Sequence, residues 1–116
     1  MDEVLNLASN LGGLISQHER FKKLRSAEDA VNADEETRDL VRALDERRAK
    51  IAELEAKQQP VEPEDKHELR RRTEAAHANP KLQELARAQA DYMELMNRVN
   101  QAVREKLDTT EESQKA

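Results

Sequence analysis

The stretch from Asn79 to Leu107 holds an unbroken helical pattern, and its length limits what the rest of the chain can fold into. Asn79 suits a helix cap, Pro80 a first turn, and apolar residues recur at Leu82, Leu85, Tyr92, Met96, Val99 and Val103. At 1.5 Å per residue this is a rod of roughly 42 Å, too long for one short neighbour to cover. In heptad terms its apolar stripe is wide enough to be touched from two sides.

Composition agrees with a helical chain. Charged residues make up 39% and aromatic residues 2% of the 116, with two glycines and three prolines, which leaves too little β-branched and aromatic material for a sheet. The expected fold is all-α, an elongated helical bundle of about five helices with a long C-terminal helix. A core spread along such a bundle is poorly buried, so the chain is expected to self-associate.

Earlier helices follow from spacing. Val4, Leu7, Leu11, Leu14 and Ile15 share one face of a first helix over Asp2 to Ile15, with acids in its first turn. Gly12 and Gly13 interrupt it at about 1 kcal/mol each, marking either a bend or close crossing, or a tolerated weak spot. Ser16 with Glu19 has capping-box spacing and predicts a new helix carrying Phe21, Leu24, Ala27, Ala30 and Val31. Asp34 caps a third helix to about Lys57, whose seam is interrupted by Arg47 and Arg48. Those arginines either lay their stems along apolar surface or recognise an acidic partner.

Pro60 and Pro63 break the helical run and predict a reversal. A polar helix from about Pro63 to Ala78 precedes the long one. Residues 1–107 form a single domain, and residues 108–116 a frayed or disordered tail without an apolar anchor.

Few chemistries fit. There is no cysteine, which excludes disulfides, thiolate metal sites and cysteine nucleophiles. The net charge of -5 and a pI near 5.3 disfavour a general grip on phosphate. The basic cluster Arg20, Lys22, Lys23 and Arg25 is followed by acids. An RNA-binding accessory role would require it to join Arg47 and Arg48 on one surface, so no direct nucleic acid contact is expected. Glu64 with His67 and Glu74 with His77 have the spacing of carboxylate-bridged metal bundles. Both pairs lie on one helix about 15 Å apart, so a metal-binding helical-bundle enzyme stands only as the alternative. No catalytic residue, metal ligand or cofactor is assigned. No apolar run is long enough for a membrane span, and a cytoplasmic location is expected.

The spelling Leu14, Ile15, Ser16, Glu19, Phe21, then Ala27 with Asn32 to Glu36, the proline break, and Asn79, Pro80 before the last helix resembles the YlbF/YmcA family of small helical bacterial proteins. It covers about residues 2–107. The resemblance implies a non-enzymatic, usually self-associating regulator of competence, biofilm formation and sporulation. Some members form a complex that binds ribonuclease Y and carries iron-sulfur clusters on cysteines, which this chain lacks. The expected partners are a second copy in a dimer or higher homo-oligomer, and beyond it other family members or a ribonuclease. The interface is expected on the long helix at Ala88, Tyr92, Leu95, Met96, Val99, Ala102 and Val103.

Overall fold

The computed structural model describes residues 1–115, with side chains through residue 109. These residues form five helices and no strand. The helices are α1 (Asp2–Ser16), α2 (Glu19–Ala33), α3 (Glu35–Ala56), α4 (Pro63–His77) and α5 (Pro80–Lys115). The all-helical fold expected from composition is the one observed. Two compact units divide the chain, residues 26–86 in one and residues 1–25 with 87–116 in the other. Helices α2 and α5 each contribute to both.

In the unit of residues 26–86, α3 and α4 form an antiparallel hairpin. Arg72 Nη1 donates to the Ala43 carbonyl at 2.6 Å, Arg47 meets Asp65 at 3.2 Å, and Asn79 reaches Thr37 at 3.1 Å. Partners later in α3 meet partners earlier in α4, which is the reversal predicted from the prolines. The reversal is closed by an αL cap. The Gln58 N–H donates to the Glu55 carbonyl and the Gln59 N–H to the Leu54 carbonyl at 2.8 Å, with Gln58 at φ 56°. This is a Schellman closure carried by a residue other than glycine. Around the hairpin, Ala27, Val31, Leu44 and Ala76 are buried, and Thr37 is fully enclosed.

Helix ends depart from expectation at several places. Asp34 takes the N-cap position of α3 but makes no side-chain cap hydrogen bond, its carboxylate accepting from the Thr37 hydroxyl instead. The Ser16 and Glu19 capping box does not form. Ser16 ends α1, and its hydroxyl donates back to the Gly13 carbonyl at 2.7 Å. The Gln17 and His18 amides donate to Leu14 and Ile15, and His18 Nδ1 accepts from the Arg20 N–H at 3.0 Å to start α2. Short-range backbone bonding therefore outcompeted the serine cap. Asn79 caps α5 as expected, its Oδ1 accepting from the Lys81 and Leu82 amides at 2.9 and 3.0 Å. Helix α5 continues past Leu107. Of the tail expected to fray, the side chains from residue 110 and all of Ala116 lie outside the described residues.

In the unit of residues 1–25 and 87–116, Phe21 and Tyr92 pack with ring centroids 5.9 Å apart. Arg20 donates to the Asp91 carbonyl at 3.1 Å and lies 3.8 Å from Glu94.

Candidate functional site

Two polar clasps use up the most conspicuous charged residues of the hairpin unit. In the first, Asp65 sits at the third position of α4 and its Oδ2 accepts from the Glu62 N–H at 3.2 Å, the capping-box bond. Its Oδ1 faces Arg47 at 3.2 Å and Lys50 at 3.4 Å. Burial by itself raises the Asp65 carboxyl, but the Glu62 amide, Lys50 and Arg47 outweigh it and hold it below the ordinary 3.8. Arg47 therefore turns inward to an acid of its own chain, while Arg48 is exposed. The acidic partner left open for this arginine pair is, at Arg47, an internal aspartate. Beside it, Glu68 accepts from Arg72 Nε at 2.9 Å and from Arg71 at 3.0 Å.

In the second clasp the Thr37 hydroxyl donates to Asp34 Oδ2 and accepts from Asn79 Nδ2 at 3.1 Å, and Lys81 lies 3.5 Å from the same aspartate. The Thr37 hydroxyl and Lys81 hold the Asp34 carboxyl below its ordinary value against some desolvation. These carboxylates are anions near neutral pH, which suits holding helix ends and not proton transfer. Among the described residues no group of three or more metal-ligating side chains comes together. Glu64, His67, Glu74 and His77 are all exposed along α4.

The opposite chemistry appears in the other unit. Among the described residues, every exposed large hydrophobic side chain lies at Met1, on α1, or on α5 from Met93 onward. On α1, Val4, Leu5, Leu7, Leu11 and Leu14 are exposed and no residue is buried. On α5, Met93, Val103 and Leu107 are 61%, 54% and 63% exposed. Of the residues expected at an interface, Ala88 is 4% exposed, and Tyr92, Leu95, Met96 and Val99 are half-buried. Ala102 and Val103 stand open with all of residues 101–109. Phe21 of α2 packs on Tyr92 of α5, whereas no residue of α1 is buried and its apolar face is bare. The signal for that face was present in the sequence, since no charged residue occurs between Glu3 and Glu19. Gly12 and Gly13 have nothing within 4 Å of a Cβ added there, so in this chain they mark a weak helix segment and not a close crossing.

The chain matches the family described as "Control of competence regulator ComK, YlbF/YmcA" over residues 4–108. It belongs to the YlbF/YmcA family. A protein of unknown function (DUF964) from Bacillus stearothermophilus has a similar fold, with a TM-score of 0.68 at 20% identity, over 91% of this chain and 93% of that one. No curated protein matches the chain. The YlbF/YmcA match spans all five helices, and a regulatory role fits the family's description. No helix among the described residues is long and apolar enough to cross a membrane.

Proposed function

We propose that this YlbF/YmcA protein is a non-enzymatic cytoplasmic adaptor that regulates by binding other proteins, including copies of itself. One observation carries the reading. The buried and half-buried charged groups of the two hairpin clasps are paired internally, whereas the exposed large apolar side chains are gathered on α1 and the distal half of α5. Apolar patches of this kind mark sites of protein contact. Family membership supports a link to developmental control of competence, biofilm formation and sporulation, and makes ribonuclease Y a candidate client. The absence of cysteine means that any such complex would not take an iron-sulfur cluster from this chain's thiolates.

Quantitative affinity purification from the native cell tests the proposal. Wild-type protein should enrich a defined set of proteins that Leu107→Asp loses, with helicity unchanged by circular dichroism. Equal recovery by both forms would show that the apolar surface is not the working one.

A further inference from the structure

Two bare rows in the unit of residues 1–25 and 87–116 have matching spacing. On α1, Val4, Leu7, Leu11 and Leu14 are separated by three, four and three residues. On α5, Met93, Met96, Asn100, Val103 and Leu107 are separated by three, four, three and four. Alternating steps of three and four make the narrow seam along which two helices interlock. Apart from half-buried Met96, every member of both rows is exposed. A single chain thus presents two seams of one kind with neither covered.

We propose that α1 of one copy docks antiparallel on the distal part of α5 of a second copy, and that the exchange is reciprocal. This deepens the adaptor reading by naming one partner and its contact. Antiparallel alignment sets Val4 against Val103, Leu7 against Asn100, Leu11 against Met96 and Leu14 against Met93, so the two spacings coincide at four successive layers. Leu107 then falls beside Met1. From Val4 to Ser16, α1 carries no charged residue that could meet a like charge across the seam.

The area is also right. The exposed members of the two rows, 37% to 69% open, expose on the order of 400 Å² of apolar side chain at ~100 Å² each. At the usual apolar share of an interface this corresponds to about 700 Å² per partner, close to the ~800 Å² of a standard stable interface. The second copy, and not the same chain, is the occupant because the α1 to α2 connection is short and bonded. Gln17 and His18 are tied to Leu14 and Ile15, and His18 to Arg20. With that connection so bonded, no residue of α1 is buried by its own chain.

The chain has no cysteine, so engineered thiols read the contact directly. The full-length Val4→Cys/Val103→Cys double variant, oxidised at micromolar concentration, should run on a denaturing gel at twice the chain mass and return to single-chain mass on reduction. Neither single variant should cross-link efficiently, and mixing the two singles should restore the bond. A product of monomer mass would mean that α1 closes on its own chain, and efficient linkage by Val4→Cys alone would mean that α1 pairs with α1. Either result overturns the proposal. Sedimentation of the uncross-linked protein should show a dimer, with at least a tenfold weaker association in Leu7→Asp at unchanged hairpin stability. A wild-type monomer at tens of micromolar also overturns it. Client capture in a monomeric protein would leave the adaptor reading standing alone, and dimerisation without any client would leave only the interface.

Discussion

Gln58 shows how a single residue shapes the hairpin. Its φ of 56° lies in the left-handed region, where a side chain costs roughly 1–2 kcal/mol and glycine costs little. The two Schellman bonds and the reversal before α4 hold it there. Gln58→Gly is expected to stabilise the protein by about 0.5–1 kcal/mol, after the greater freedom of glycine in the unfolded chain is subtracted. A β-branched residue at the same position should destabilise by more than 1 kcal/mol. Urea unfolding followed by far-ultraviolet circular dichroism checks both signs. Pro60 and Pro63 announced the break in the sequence. That Gln58 would take the strained position was not legible there, because the cap is imposed by how α3 must end to let α4 return.

Helix α1 is the element whose fate sequence and structure describe differently. Its apolar spacing is as regular as that of α5, and the natural expectation is that a neighbour covers it. No α1 residue is buried within its own chain, so in the single chain its helicity rests on propensity and its own hydrogen bonds, which are marginal for 15 residues. Gly12 and Gly13 weaken it further. Gly12→Ala places a methyl where nothing lies within 4 Å and should stabilise α1 by about 1 kcal/mol. The gain is local, so it should appear as slower amide exchange across α1 while exchange in α3 and α4 is unchanged. Equal slowing in all three helices would mean that α1 unfolds only with the whole chain. Gly12 stands off the Val4 to Leu14 row, and the substitution should leave association intact or tighten it.

At the scale of the molecule, stability should depend on pH through the two clasps. Asp34, Asp65 and Glu68 all have carboxyls held below their ordinary values of 3.8, 3.8 and 4.5. A depressed carboxylate contributes its full stabilisation above the unfolded value and loses it as pH falls through the folded one. The urea midpoint is therefore expected to change little through these groups from pH 7 to about 5.5, and to drop below about pH 4.5. Asp65→Asn should lower the midpoint at pH 7 and flatten the acid limb, since it removes one of the groups that must be protonated. A variant whose midpoint tracks the wild type at every pH would show that the Arg47 and Lys50 pairing is energetically idle.

How legible the protein was follows a physical division. Local features are legible in the residues alone, because periodicity, caps and breakers act within a few positions. The five helices, the proline reversal, the Asn79 cap and the spelling of the YlbF/YmcA family all follow from them. Pairings between residues distant in the chain are set by the packing of the helices. Only folding brings Arg47 to Asp65 and Asn79 to Thr37, because a buried charge or hydroxyl must find a partner that spacing cannot name. Only folding, too, distinguishes apolar faces that are covered from those left open. Apolar spacing alone does not say which face is covered, because burial depends on where a neighbour lies, and here α1 and residues 101–109 of α5 are exposed.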